Sequence, residues 1–270
     1  MKYIFRITLA AFAVFSLLLT SCKKDDTIRY NNVTMGNFVN GKFISDQGNE
    51  FTIVEDLSGT NKDDITRAIM QCDVLKKVEG TENGYEVRVH ILSKVLDKKP
   101  VEKVAAAEDP EKLVKDPITI QQLWISGGYI NMYVLFEIQT YPEKPEKKHM
   151  VNLVFNQEEI GKGTYNLELR HNAFGETLSA SKDEEKEDDS VQVQSSELIQ
   201  WGLAGSYVSF PISELVTEQK ATLKLYWKEH IFIDNVMTSD TIDRSVDLSY
   251  SKDYFEHTPT VVKSKTVVLE

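Results

Sequence analysis

The 270-residue chain carries 31 basic and 42 acidic residues, which gives a formal net charge of −11 at pH 7. Binding to nucleic acid draws on clustered positive charge, so this balance argues against a nucleic acid as partner. With 41% apolar residues the chain can build a sizeable core, and its length suits two modest domains.

The chain begins with the pattern of an export signal. Lys2 and Arg6 form a short positive region, and an almost unbroken apolar run follows from Ile7 to Leu19. A membrane-spanning helix needs about 20 apolar residues, so this run is too short to cross a bilayer. We predict a signal peptide over residues 1–21, and its removal shifts the formal net charge from −11 to −13.

A cysteine follows this signal, in the sequence Leu19-Thr20-Ser21-Cys22. The order resembles the lipobox of bacterial lipoproteins, where signal peptidase II cuts before the cysteine and the new N-terminus is acylated. The resemblance implies that Cys22 is the first mature residue and the lipidation site, with acyl chains such as palmitate. Each buried CH₂ contributes about 0.8 kcal/mol, so several chains hold a protein on a membrane permanently. The alternative is an ordinary signal peptide with a chance cysteine.

Residues 22–29 read as a polar tether, which starts with Lys23-Lys24-Asp25-Asp26. This charge run resembles the acidic export tag by which lipoproteins of Bacteroidota reach the outer face of the outer membrane. The implied location is the outer membrane, with the lipid-anchored protein facing the cell exterior. A tether that is only solvated is the alternative.

Residues 30–99 have the pattern of a small β-barrel. Asn40-Gly41 favours a tight hairpin turn, and Asp46 to Asn49 connect the next two apolar runs. The polar stretch from Asn61 to Asp64 reads as helical. In the last run, Tyr85, Val87, Val89 and Ile91 alternate with polar residues and predict one buried face. About five short strands in some 70 residues is the size of an OB-like barrel.

Cys72 lies in a run where Ala68, Met70, Cys72 and Val74 share one face at a period of two. If Cys22 carries the lipid, Cys72 has no partner, because the chain contains two cysteines. A disulfide framework and a cysteine metal site are both excluded on this interpretation. We predict an inert core thiol.

Residues 100–117 read as a linker with one or two helical turns around Val104 to Glu108. Residues 118–270 predict a β-sandwich domain of antiparallel strands, so the fold class is all-β throughout. The predicted strands are Ile118 to Ile125, Tyr129 to Gln139, Met150 to Phe155, Thr164 to Arg170, Ser206 to Phe210, Thr222 to Trp227, Ile231 to Ile233 and Thr260 to Leu269.

No catalytic, cofactor-binding or metal-binding constellation is visible in the sequence, and we predict that the protein is not an enzyme. His90, His149, His171, His230 and His257 are scattered singly, without the spacing of a metal site. His171 is the first of them to examine, although pairing with a loop is the expected role of a histidine at the end of a strand. The acidic run from Lys182 to Ser190 lacks the Asp-x-Asp spacing of a calcium loop and reads as a solvated loop.

Tryptophan side chains can stack on sugars or insert into partners when they are exposed. Trp124 and Trp227 lie in apolar strand patterns, which favours core packing. Trp201 lies beside Gly202 in a predicted loop and is the candidate for an exposed contact.

Two stretches resemble the NigD-like lipoproteins of Bacteroidota. One is Asn83-Gly84-Tyr85-Glu86-Val87-Arg88-Val89, and the other runs from Ile118 to Asn131 and includes Trp-Ile-Ser-Gly-Gly-Tyr-Ile-Asn. The pair His171-Asn172 after a strand fits as well. The resemblance implies a lipobox, an N-terminal OB-like domain and a C-terminal β-sandwich, and it carries a proposed immunity role without catalytic residues.

These observations predict a lipid-anchored, non-enzymatic binding module of the cell envelope, of immunity type in its specific form. Its expected partners are the membrane, through the N-terminal lipid, and a protein or a glycan. The alternative is a carbohydrate-capturing or carbohydrate-active lipoprotein linked to polysaccharide uptake.

Overall fold

The structure is a computed structural model of the chain. It describes residues 28–29, 34–139, 148–175, 201–233, 236–252, 260–261 and 265–266. The predicted signal peptide, Cys22, the tether up to residue 27 and the acidic run 182–190 lie outside these residues. Most of the described chain forms β-strands, so the predicted all-β fold class is confirmed.

The first part of the chain closes into a five-stranded barrel. Its strands run in the order β2-β3-β4-β6-β5 and close because β5 pairs with β2 as well as with β6, while β1 extends the edge of β5. The parallel pairing of β4 with β6 completes an OB-like topology. The strands are β1 (Ile28–Arg29), β2 (Thr34–Val39), β3 (Lys42–Ser45), β4 (Glu50–Asp56), β5 (Arg67–Lys77) and β6 (Gly84–Lys94).

Local sequence signals produce most of the barrel. Asn40 and Gly41 both have positive φ, at 51° and 79°, and join β2 to β3 as predicted. Ala68, Met70, Cys72 and Val74 all point into the barrel core, also as predicted. The prediction of a helix over Asn61 to Asp64 is wrong, since within this stretch only residues 63–64 form a turn and the two before them have no regular structure. Its four polar side chains are exposed, so no packed apolar face stabilises a helix there.

A β-bulge changes the predicted face of β6. Gln71 pairs with Ile91 and Cys72 with Val89, so His90 is an extra residue in its strand. Beyond this residue the alternation reverses, which leaves Ile91 51% exposed and buries Leu92. The prediction that Ile91 shares the buried face of Val87 and Val89 is therefore wrong.

The rest of the chain forms a sandwich of two sheets. The barrel-side sheet has the order β16-β9-β10-β13-β7, and the far sheet has the order β17-β15-β14-β12-β11-β8. The strands are β7 (Leu96–Asp97), β8 (Val101–Glu102), β9 (Thr119–Ser126), β10 (Tyr129–Gln139), β11 (Met150–Phe155), β12 (Thr164–Asn172), β13 (Trp201–Pro211), β14 (Lys220–Ile233), β15 (Val236–Ser251), β16 (Thr260–Val261) and β17 (Lys265–Thr266). Most neighbours are antiparallel, but β12 with β14, β11 with β8 and β13 with β7 are parallel.

The sandwich core lies between the two sheets and follows the predicted alternation. Its members include Ile130, Met132 and Val134 from β10 and Leu223, Leu225 and Trp227 from β14, each 1% exposed or less. The runs Thr222 to Trp227 and Ile231 to Ile233 belong to one strand, β14, rather than to two. The sequence prediction missed the 16-residue strand β15, because its first half is rich in polar residues.

The segment between barrel and sandwich is built into the sandwich. β7 pairs with β13, β8 pairs with β11, and a four-residue helix α1 (Lys103–Ala106) and a 3₁₀ turn (Pro110–Leu113) follow. A second 3₁₀ turn, Gln157–Glu159, precedes β12. In the part of the chain that the structure describes, no helix has the length and apolar character to cross a membrane.

Candidate functional site

The barrel packs on the barrel-side sheet, on the face that points away from the sandwich core. Strand β5 has both faces buried. Its even-numbered residues from Ala68 to Val74 fill the barrel, while Arg67 and Ile69 on the other face point at the sandwich. Ile69, Met35 and Val95 form an apolar cluster against Trp124 and Tyr207. We call this contact region the junction.

Arg67 lies at the centre of the junction with 0% of its side chain exposed. Its guanidinium binds both oxygens of Asp46, with Nη1 to Oδ1 at 2.9 Å and Nη2 to Oδ2 at 2.7 Å. The remaining N–H groups donate to Asn37 Oδ1, Asn131 Oδ1 and Ser209 Oγ at 3.1, 2.9 and 2.9 Å. All five N–H donors of an arginine are used, which is what makes its burial tolerable.

The partners of Arg67 are also bound to one another. Ser126 Oγ donates to Asp46 Oδ2 at 2.6 Å and accepts from Asn131 Nδ2 at 3.1 Å. Ser209 Oγ donates to Asn131 Oδ1 at 2.7 Å. Asp46 and Arg67 come from the barrel, and the other three residues come from β9, β10 and β13 of the sandwich. The network therefore fixes the barrel on the sandwich through satisfied polar groups.

The motif Trp-Ile-Ser-Gly-Gly-Tyr-Ile-Asn, at 124–131, supplies most of the sandwich side of the junction. The Arg67 guanidinium carbon lies 3.8 Å from the centre of the Tyr129 ring, a cation–π contact. Gly127 has φ +58°, and a Cβ there would lie 2.4 Å from Asp46 Oδ1. A larger residue at 127 would push on the buried carboxylate, so the glycine is required by both conformation and space.

Partial desolvation beside the junction shifts the pKa of two neighbouring groups. Desolvation raises the pKa of Asp97 above its ordinary value, and the positive charge of Arg67 opposes this rise. Desolvation and the charge of Asp97 also raise the pKa of Tyr129. Asp97 itself is exposed, so the charges that would be costly to leave unpaired are the buried Arg67 and Asp46.

A second polar cluster lies at one end of the sandwich, where β12 ends. His171, 1% exposed, directs Nδ1 at the carbonyl oxygen of Pro117 at 2.9 Å and Nε2 at Nδ1 of His149 at 2.9 Å. A carbonyl oxygen only accepts, so His171 carries its proton on Nδ1 and its Nε2 accepts from His149. The ring of Phe136 packs on both imidazoles, with centroid distances of 4.7 and 5.8 Å.

The protonation of His171 follows from this environment. Burial, with the nearby His149, lowers the pKa of His171 from 6.5 to about 4. His171 is therefore neutral at pH 7 and ties the connecting segment to the sandwich through Pro117. Nearby, Glu137 Oε2 lies 3.2 Å from Nε2 of His230, with both side chains 3% exposed or less. Among the residues that the structure describes, no three His, Cys, Asp or Glu side chains are placed to hold a metal ion.

A groove of about 760 Å³ runs along one side of the sandwich, between β9 and β15. Its walls are apolar and consist of the buried side chains of Leu123, Ile125, Ala221 and Tyr250 and the partly buried Leu248. Its rim carries the exposed polar side chains of Lys220, Asp247 and Ser249. An apolar floor with a few polar groups at the rim is the usual composition of a binding site.

The structure places the residues singled out in the sequence as follows. Cys22 and the side chain of Trp201 lie outside the described residues. Cys72 is 2% exposed in the barrel core, and burial, followed by the charge of Asp73, raises the pKa of its thiol to about 11. Trp227 is a core residue as predicted, whereas Trp124 packs at the junction. His171 and His149, predicted as isolated, form one pair.

Sequence reasoning missed Arg67 and Asp46, the two charges at the centre of the junction. Arg67 precedes the apolar face of β5, and Asp46 was assigned only to a hairpin connection. The sequence signal was weak: Ser126 and Asn131 are polar, but their strands also contain other polar residues such as Gln121 and Glu137. Polar residues at such positions indicate a partner surface on the outer face of a sheet.

These features define a class: all-β proteins in which an OB-like barrel is fixed by a buried ion pair on the outer face of a β-sandwich. Residues 100–185 match the family model of the NigD-like C-terminal beta sandwich domain. The match confirms, over residues 100–185, the resemblance found in the sequence. Among curated proteins, a search for relatives finds no match.

Solved structures of Bacteroides proteins share the fold. A NigD-like immunity protein from Bacteroides caccae is 17% identical, with a TM-score of 0.54, and the match covers 82% of this chain and 96% of that chain. A candidate lipoprotein from Bacteroides fragilis is 13% identical, with a TM-score of 0.53 and coverage of 82% and 97%. A protein of unknown function from Bacteroides vulgatus is 15% identical, with a TM-score of 0.52 and coverage of 85% and 95%.

Proposed function

We propose that this protein is a lipid-anchored, non-enzymatic binding protein of the outer membrane, faces the cell exterior and sequesters a protein partner in an immunity-type role. The observation that carries the anchoring is the lipobox at Leu19 to Cys22, with the first described strand starting at Ile28. The charge run from Lys23 to Asp26 supports display at the outer face. The combination of a lipid anchor with an immunity-type role is supported by the fold that this chain shares with the immunity protein from Bacteroides caccae and the candidate lipoprotein from Bacteroides fragilis.

The groove between β9 and β15 supports the binding role. Its volume of about 760 Å³ is within the range of ligand sites and accommodates several side chains of a partner. The junction supports it indirectly, because a buried and satisfied ion-pair network fixes the barrel on the sandwich. Rigid scaffolds lose less entropy on binding than flexible ones.

Anchoring is tested with Cys22→Ala in cells. We expect loss of palmitate labelling together with release from the membrane fraction or a block in maturation, because acylation needs the thiol. Substituting alanine for Lys23 through Asp26 is the matched change that keeps the lipid site; it should preserve labelling but reduce cleavage of the protein by protease added to whole cells. Unchanged labelling of the Cys22→Ala protein would overturn the anchor.

Binding is tested by affinity purification from envelope and culture proteins with residues 23–270 as bait. Ser249→Trp places a large side chain at the groove rim, and Ser93→Trp does the same at an exposed position on β6, away from the groove. We expect a protein enriched by the wild type and by Ser93→Trp, but not by Ser249→Trp. Equal enrichment by both variants would place binding elsewhere, and no enrichment at all would contradict the role.

Capture of carbohydrate is the second candidate, and the hydroxyl groups of Thr222, Ser249 and Ser251 along the same groove favour it. A glycan array with the same three proteins separates the two roles. A glycan that binds the wild type and Ser93→Trp, but not Ser249→Trp, would support carbohydrate capture over a protein partner.

A further inference from the structure

We infer that strand β13 is a self-association surface, through which two copies of this chain pair edge to edge. In the described part of the chain, β13 is bonded along its whole length to β10, but its other edge meets only β7, at Val208 and Ser209. The edge from Gly202 to Ser206 has no strand beside it there. An open edge presents unpaired backbone donors and acceptors that another strand can bind.

The direction of the backbone groups identifies the residues that would bond. Lys98 N donates to the Ser209 carbonyl at 3.1 Å, so Ser209 turns its polar groups toward the β7 edge. The pairing of β13 with β10 has no register shift, and backbone groups alternate sides along a strand. Leu203 and Gly205 therefore turn their N–H and C=O outward, and both residues are exposed, Leu203 by 49%.

This edge lacks the features that usually protect an edge strand. From Gln200 to Phe210 the chain has no charged residue and no proline, although its formal net charge is −11. Natural edges are commonly guarded by lysine, proline or a bulge. Like charges placed opposite each other destabilise a strand pair, so in this acidic chain an uncharged stretch favours pairing with a second copy.

The side chains of the edge are complementary to themselves in an antiparallel pair. With Ala204 on the two-fold axis, Leu203 of one copy faces Gly205 of the second copy, and the reverse holds as well. At Gly205 the Tyr133 hydroxyl lies 2.1 Å from the place of a Cβ, so Tyr133 covers the glycine and the facing leucine would pack on the Tyr133 side chain. The two Leu203–Gly205 pairs between the copies form four backbone hydrogen bonds. The two Ala204 residues, one from each copy, face each other as a pair without hydrogen bonds, at the close spacing typical of such pairs. A second copy is therefore the occupant that the edge fits.

The first measurement is the mass in solution of residues 23–270, by sedimentation equilibrium over a wide range of concentration. We expect a doubling of mass for the wild type. Leu203→Lys should raise the dissociation constant of the dimer by about tenfold or more, because both copies lose apolar burial and gain charge. Val104→Lys adds the same charge at an apolar residue that is 75% exposed on α1, and should leave the dimer unchanged. Circular dichroism and thermal melting confirm that each variant folds.

The second measurement does not depend on weakening the edge. Ala204→Cys should form an intermolecular disulfide under mild oxidation, because the two copies of residue 204 meet on the axis. Val104→Cys is the matched control, and Cys72, 2% exposed in the barrel, does not compete. A monomer without crosslinking would overturn the inference, as would a dimer that persists in Leu203→Lys. A monomer whose Leu203 and Gly205 amides exchange slowly would show that the chain covers its own edge, and would also overturn it. Neither measurement requires the binding partner of the proposed function.

Discussion

Replacing Arg67 by methionine keeps most of the side-chain volume but removes the five hydrogen bonds that the guanidinium makes at the junction. Asp46, with 3% of its side chain exposed, would be left as a buried carboxylate without its cation. Breaking a buried ion pair by removing one partner costs about 3–5 kcal/mol. In a chain of this size each kcal/mol lowers the melting temperature by about 2–4 °C, so we expect a loss of roughly 10 °C.

The matched control is Arg88→Met, which removes an exposed ion pair with Glu55 from the same barrel. Exposed pairs contribute about 0–1 kcal/mol, so this variant should unfold almost like the wild type. The double variant Arg67→Met with Asp46→Asn removes both charges of the junction pair, and should lose less stability than the two single changes together.

The measurement is unfolding in urea, monitored by two signals. Circular dichroism reports on the whole chain, and tryptophan fluorescence reports on the junction and the sandwich, where Trp124 and Trp227 lie. In the Arg67→Met protein the two signals should separate, because the barrel and the sandwich lose their main polar contact. If Arg67→Met costs no more than Arg88→Met, or if the effects of the double variant simply add, the junction is not the stabilising network described above.

Three further predictions concern single residues. Because the pKa of His171 is about 4 when folded and 6.5 ordinarily, its contribution to stability is fully present above pH 6.5 and is lost as the pH falls toward 4. Between pH 7 and pH 4 the free energy of unfolding should therefore fall by about 2–3 kcal/mol more in the wild type than in His171→Gln, as measured by urea unfolding. Equal losses in the two proteins would refute the conclusion that His171 is buried and neutral. Gly127→Ala should lower the free energy of unfolding by about 2 kcal/mol or more, since the new Cβ would collide with Asp46. Gly161 also has positive φ but lies in open space, so Gly161→Ala should lower it by about 1 kcal/mol in the same urea assay. Cys72, with its pKa raised to about 11, should resist a thiol reagent at pH 8 in the folded protein and react fully in denaturant; rapid reaction of the folded form would contradict its burial.

Much of the barrel and of the sandwich core could be predicted, because those features depend on neighbouring residues. The turn at Asn40-Gly41 follows from residues that tolerate positive φ, and the buried face of Cys72 follows from a period of two. Strand β11 was predicted with the same bounds, Met150 to Phe155, that the structure gives. β15 was missed because its first half is rich in polar residues, so that clear apolar alternation is confined to Val246, Leu248 and Tyr250 near its end.

By itself, the sequence determined the strand pattern, the core alternation and the resemblance carried by the motif at 124–131, since local spacing encodes all three. Only the tertiary structure decided that this motif is a junction, because Arg67 and Ser209, 142 residues apart, meet there. The same holds for the pairing of His149 with His171 and for the outward turn of Ile91, which needs the bulge at His90. A single sequence does not show which polar residue a distant strand will bury, because burial is a property of the assembled layers and not of the local chain.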